Sequence, residues 1–257
     1  MHRVAAQGFA AAGQVYEQGR PDYPPEALAC LAAHLGIGAG ARVVDVGAGT
    51  GKLTRLLAER GAFLIAVEPV ADMRQAFARA LPQVPVLAGT AEALPFAAGT
   101  VDAVVAGAAF HWFDGLAALR EIHRVLRPGG GLGLVWNPRD ETVEWVAQLV
   151  RLVDGYKRGD PPRYTDGRWR RVFEAGPTTG LFTPLQEARF PFVHEVERSV
   201  AMARVASTSF VGALSVAERE EVLARVRALL DTHPETRGRP VLRLPYRADV
   251  YWCHKVG

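Results

Sequence analysis

The run RVVDVGAGTGK at residues 42–52 constrains this chain more than any other stretch. Val43, Val44 and Val46 read as a short β-branched strand. Gly47, Gly49 and Gly51 follow at alternate positions, and a helical pattern, Leu53, Leu56 and Leu57, begins at once. Glycines at a strand-to-helix turn accept positive φ and let a ligand approach the backbone closely. The next apolar strand, FLIAVE at 63–68, ends in Glu68. An acid at that point can hydrogen-bond the two hydroxyls of a ribose.

Spacing sorts the nucleotide ligands. A dinucleotide fingerprint requires GxGxxG or GxGxxA, and here Lys52 stands where the third small residue belongs. A P-loop requires GxxxxGK followed by Ser or Thr. Here Leu53 follows Lys52, and Val46 takes the place of the first glycine. Both phosphate-binding readings fail on named residues. The pattern D-x-G-x-G-x-G from Asp45 to Gly51 resembles motif I of the class I S-adenosylmethionine (SAM) dependent methyltransferases. That family uses this loop for the methionine part of SAM and the acid after strand two for the ribose.

Strand and helix patterns alternate from residue 42 to about 136, which predicts a parallel sheet with helices on both faces. After the first unit come FLIAV, a helix near 70–80, VPVLAG at 84–89, VDAVVAG at 101–107, a helix near 114–127 and GLGLVW at 131–136. Ligands then sit at the carboxyl ends of the strands, beside strand one. The segments GTAEALPF (89–96), TVDAVVAGAAFHWFD (100–114) and LREIHRVLRPGGGLGLV (119–135) resemble the later motifs of the broad group containing ubiquinone-biosynthesis and trans-aconitate methyltransferase relatives. The lead-in QVYEQGRPDYPPEAL at 14–28 is similar to that of one subgroup. The resemblance implies a Rossmann-like, doubly wound α/β sheet, mostly parallel with a terminal antiparallel hairpin, plus helical cap elements. It divides the chain into an N-terminal helical lid (1–40), a SAM-binding core (41–137), and a cap insertion with C-terminal strands completing the same domain (138–257). Beyond the core, helices are expected near 140–157 and over 218–230, with strands over 188–197 and 242–255 and a loop carrying a short helix over 158–180.

Carried over residue by residue, the resemblance places Gly47, Ala48 and Gly49 against the methionine part of SAM. Asp45 would brace the loop and reach the SAM ammonium through water, and Glu68 would take the ribose hydroxyls. Pro69 and Met73 would pack on adenine, with Ala91 and Glu92 at its edge. Thr90 stands where the family often has Asp. Tyr16, Arg20 and Tyr23 would lie over the cofactor, where a lid excludes water and strengthens site electrostatics. Trp112 and Trp136 are expected to wall the acceptor cavity.

His111 follows the fourth strand, where the ligand cleft should open. An imidazole with an ordinary pKa of about 6.5 can take a proton from a hydroxyl, so His111 is the candidate base, the alternative being a structural histidine hydrogen-bonded to backbone in a tight turn. Asp114 reads as the N-cap of the next helix. Amide and nucleobase amino methyltransferases often carry [ND]PPY after strand four. This chain has AAFHW there and Asn137-Pro138 after strand five, which favours O- or carboxyl-methylation of a small molecule. A carboxylate acceptor needs no base, and Arg20 or Arg168 would then grip it.

Composition narrows the rest. Two cysteines, Cys30 and Cys253, are too few for a disulfide framework or zinc cluster, and the histidines show no metal-ligand spacing. A net charge of +3, with the densest basic run at Arg163, Arg168, Arg170 and Arg171 broken by other residues, argues against a nucleic-acid partner. No apolar run reaches the ~20 residues of a membrane span. The opening MHRVAAQGF lacks a secretory apolar segment, so a cytoplasmic location is expected. A non-catalytic SAM-binding protein and an RNA or DNA methyltransferase are the alternatives.

Overall fold

The computed structural model describes residues 20–159, 162–174 and 176–257. Seven strands form one sheet in the order β3-β2-β1-β4-β5-β7-β6. These are β1 (Arg42–Val46), β2 (Phe63–Val67), β3 (Val86–Leu87), β4 (Val101–Gly107), β5 (Leu126–Trp136), β6 (Gln186–Glu197) and β7 (Val241–His254). The first five pair in parallel. β7 runs antiparallel to both β5 and β6. The expected Rossmann-like sheet with a terminal antiparallel hairpin is the observed one.

Alternation along the strands divides the apolar side chains between two faces. Val44, Val46, Val104 and Ala106 face α4 (Gly115–Val125), which contributes Ala118, Leu119, Ile122 and Val125. Val43, Ala103 and Val105 face α1 (Pro25–Leu35), α2 (Lys52–Ala58) and α3 (Ala71–Ala80). Pro25 opens α1 with its ring at the first helical position, where no amide partner is needed. α1 lies close over β5 because the sheet is floored there by glycine. A Cβ at Gly133 would stand 2.5 Å from Cδ1 of both Leu31 and Leu35.

A cap completes the molecule. α5 (Glu144–Asp154), α7 (Arg198–Ala206), α8 (Ser209–Gly212) and α9 (Val216–Thr232) pack with the far ends of β6 and β7 around Trp145, Leu149, Val222, Val226 and Leu242. Ser215 and Glu218 form a reciprocal capping box at the start of α9. Between α5 and β6, a single turn at Arg168–Arg170 leads into the short α6 (Arg171–Glu174).

Three local expectations give way. β3 shrinks to two residues, because Pro85 has no N–H to give the ladder and Val84 instead turns back to the carbonyl of Leu81 at 3.0 Å. The helix over 114–127 stops at Val125. Leu126 is already extended and pairs with Val101, so Arg127–Gly130 enter the strand as a bulge. Residues 198–212, given no element by their pattern, form α7 and α8. In α7 only Val205 is buried, which leaves no apolar stripe to read.

Candidate active site

The carboxyl ends of β1, β2, β4 and β5 open into one cavity. Its β2 side is lined by Gly47, Ala48, Gly49, Glu68, Pro69, Met73, Thr90, Ala91 and Glu92. Gly47 holds φ +69°, and a Cβ there would meet Cβ of Ala109 at 2.8 Å, so both the turn and the close approach require glycine. At Gly49 a Cβ would meet nothing within 4 Å, so that backbone faces open space.

Glu68 ties the loop to strand two. One carboxylate oxygen accepts from the Gly49 amide at 3.0 Å and the other from the Val70 amide at 2.9 Å. Burial raises its pKa, partly offset by those amides and by Arg74. Asp45 lies beneath the loop and is fully buried. Its Oδ2 accepts from the Thr54 hydroxyl at 2.5 Å, and Oδ1 has no partner. Burial pushes the Asp45 carboxyl up to about 7, with the nearby Glu68 charge adding to the rise and Thr54 opposing it. Two raised carboxylates under one glycine loop, one with an orphaned oxygen, suit a positively charged ligand, as the ammonium and sulfonium of SAM require.

Comparison with known proteins agrees. Residues 44–134 match the family described as a methyltransferase domain. The chain is 42% identical over 244 residues to an uncharacterized methyltransferase of Mycobacterium tuberculosis, covering 95% of this chain and 94% of that one. It is 33% identical over 242 residues to an uncharacterized methyltransferase of Schizosaccharomyces pombe, covering 94% of each. This chain belongs to the class I SAM-dependent methyltransferases.

The fold agrees as well. A proposed type II methyltransferase of Anaeromyxobacter dehalogenans superposes with a TM-score of 0.65 at 24% identity, over 92% of this chain and 97% of that one. Phosphoethanolamine N-methyltransferase 2 of Haemonchus contortus, solved with SAM, does so with a TM-score of 0.55 at 14% identity, over 98% of this chain and 57% of that one.

The other side of this methyltransferase's cavity is made by residues far apart in the chain: Arg20, Pro21, Tyr23, Lys52, Asn137, Arg204 and Tyr246. Residues 20–24 form a strap held at several points. Lys52 Nζ donates to the Arg20 carbonyl at 2.6 Å and lies 3.4 Å from Asp22, while Arg55 reaches Asp22 at 2.8 Å. Asn137 Nδ2 donates to the Asp22 carbonyl at 3.2 Å. Burial alone would raise the Asp22 carboxyl, but Arg55 and Lys52 outweigh it and hold it below the usual range. Tyr23 is buried with its hydroxyl 2.8 Å from where a Cβ on Gly107 would stand.

Of the expected site residues, Arg20, Tyr23, Trp112 and the β2-side set line the cavity, and Asp45 sits under it. Tyr16 lies outside the described residues. Trp136 and His111 are absent from the lining. Trp136 follows Val135, which faces α1, so alternation turns the indole to the opposite face. There it packs among Tyr164, Trp169 and Tyr251. Its Nε1 donates to His111 Nδ1 at 3.2 Å. Arg168 pairs with Asp166 at 2.7 Å and is also absent from the lining. Lys52, Asn137, Arg204 and Tyr246 entered no sequence expectation as site residues. Two had a visible signal: Lys52 as the residue that breaks the dinucleotide fingerprint, and Asn137 in the Asn-Pro pair after strand five. Asp114 caps α4, accepting from the Ala117 amide at 3.2 Å, and its own amide donates to Glu92 at 2.9 Å.

Among the described residues no helix is long and apolar enough to cross a membrane.

Proposed function

We propose that this enzyme methylates an oxygen, and most readily a carboxylate oxygen, of a small anionic acceptor. The observation carrying this reading is a separation of charge along the cavity. Glu68 and Glu92 stand on the β2 side, while Arg20, Lys52 and Arg204 line the side toward β5, β7 and the cap. Acids suit the cofactor end and guanidinium groups suit an anion, which they can grip with two parallel bonds. Glu68 takes the ribose, Gly47 to Gly49 the methionine part, and Pro69, Met73, Ala91 and Glu92 the adenine.

Bound SAM supplies a methyl group on a cationic sulfur, open to in-line attack. Arg20 and Arg204 then hold the acceptor in line, and the strap excludes water; orientation of this kind supplies several kcal/mol. A carboxylate is already ionised near neutral pH, so no proton has to be removed. Asn137 spends its amide donors on the strap, so it has none left to grip a carboxylate, and that task falls to the arginines. A nucleic-acid acceptor is disfavoured because Arg163, Arg168 and Arg170 are matched to Asp154, Asp166 and Glu187.

The test is turnover, read as S-adenosylhomocysteine release, on a panel of small carboxylic acids, their amides, phenols, amines and RNA. Acids should turn over and their amides should not. Turnover confined to amines or RNA would overturn the reading.

A further inference from the structure

His111 is placed where a catalytic base is expected, yet its surroundings give it a different task. It lies on the one-turn segment Phe110–Trp112, just after Ala108, whose φ of +51° is the only positive value at a non-glycine among the described residues. The turn is therefore held in a costly shape, a kind of strain that clusters at functional sites. An indole nitrogen can only donate, so the bond from Trp136 Nε1 requires a lone pair on His111 Nδ1. We infer that Trp136 locks His111 as the Nε2–H tautomer, making it a positioning residue behind the acceptor wall and not the base of the reaction.

The lock is rigid because Trp136 cannot turn away. It is buried, stacked on Tyr164 with centroids 4.7 Å apart at 22°, and packed on Trp169 at 4.7 Å. Tyr164 is fixed in turn. Its hydroxyl bonds Asp249, which has no exposure and also accepts from Arg247 at 2.5 and 2.9 Å. Both ring nitrogens of His111 are thereby assigned. Nδ1 is spent on Trp136, and Nε2 already carries a proton, so a base role would require breaking the bond to Trp136. The charged groups near the ring are Asp166, from the loop before α6, and Arg20, from the strap. Burial lowers the imidazole pKa to about 4, with Arg20 pushing the same way and Asp166 opposing. The ring thus stays neutral near pH 7. Its ring centroid lies 4.9 Å from that of Trp112, tilted at 43°, and Trp112 lines the cavity. His111 so connects the buried aromatic group to the cavity wall.

Its effect on turnover rests on the methyl transfer proposed above; the tautomer does not. Nitrogen NMR of the imidazoles reads the tautomer directly, with the His111 signal assigned by its loss in His111→Asn and, independently, by its movement in Trp136→Phe. The expected result is a protonated Nε2 and bare Nδ1 from pH 5.5 to 8.5. Protonated Nδ1, or titration near 6.5, would overturn the inference whatever the acceptor proves to be. Kinetics supply the second arm. The amide oxygen of His111→Asn can still accept from Trp136 but cannot act as a base, so turnover should stay within about fivefold of the parent, whereas His111→Leu should lose about tenfold or more. A loss of 10²–10⁴-fold in His111→Asn, the range for removal of a general base, would show that proton transfer is its task after all.

Discussion

Glu68 and Arg204 occupy opposite ends of one cavity and reach it by different routes. Glu68 is the residue immediately after β2, and its carboxylate is fixed by amides of the adjacent glycine loop and of Val70. Arg204 rides on α7, a helix of the cap that packs against β6, β7 and α9. The cofactor end is therefore a local construction of strand, turn and strand. The end proposed for the acceptor is an assembly of side chains from the strap, α2, the residue after β5, β7 and the cap. An end built locally tolerates little change, whereas an assembled end can change its residues without disturbing the first. The two ends should respond separately to mutation.

The largest expected effect is at the glycine loop. Gly47→Val places a side chain at positive φ, costing about 1–2 kcal/mol, and into Ala109, where overpacking adds about 1–3 kcal/mol. SAM affinity by calorimetry should fall by two orders of magnitude or more. An unchanged affinity would mean that the loop does not contact the cofactor.

A crossed pair of variants sharpens the comparison. Glu68→Ala should weaken SAM by about 1.5–3 kcal/mol, the range for hydrogen bonds to a charged group, with the acceptor KM unchanged. Arg204→Met should raise the acceptor KM by about tenfold or more and leave SAM affinity alone. If either variant moves both quantities alike, the two ends are not independent.

The pH dependence is smaller and lies at the cofactor end. Asp45 is raised to about 7, so the folded protein holds a proton there that the unfolded chain, with its ordinary value of 3.8, has released. Stability from that proton is fully present below the unfolded value and fades as pH rises through about 7. A cationic ligand favours the ionised carboxylate. SAM affinity should therefore rise from pH 5.5 to 7, by up to about tenfold per unit, and level off above it. Calorimetry in buffers of different ionisation enthalpy should show proton release at pH 6, and its absence would disconnect Asp45 from the ligand's charge.

The smallest effect belongs to the strap. Lys52→Met removes a partly exposed ion pair and a bond to the Arg20 carbonyl. Exposed pairs contribute about 0.2–1 kcal/mol, so SAM dissociation in stopped flow should quicken only about two- to fivefold. A far larger change would make Lys52 a ligand contact in its own right.

The same contrast explains what the amino-acid sequence reveals. From Asp45 to Glu68 every signal is local: β-branched strand, alternating glycines, helix, second strand, acid. The fold follows from repeating that alternation. Arg204 is invisible because α7 has a single buried side chain, Val205, and so no periodic stripe. Tyr246 is hidden in a strand whose neighbours are apolar or paired across β6. Trp136 and His111 are legible as residues near the end of the sheet but not by their facing. That depends on where β5 begins its alternation, and a bulge at Arg127–Gly130 separates it from the helix before.

The glycine floor of β5 has a mechanical consequence for the strap. α1 begins at Pro25, directly after residues 20–24, and rests on Gly133 through Leu31 and Leu35. Helix and strap are thus continuous, the helix seated in the core and the strap tied down by Lys52, Arg55 and Asn137. A single methyl group added to that floor would collide with Leu31 and Leu35 and press on the helix that carries the strap. The seating of one cavity wall thus depends on the thinness of the sheet two strands away from β1.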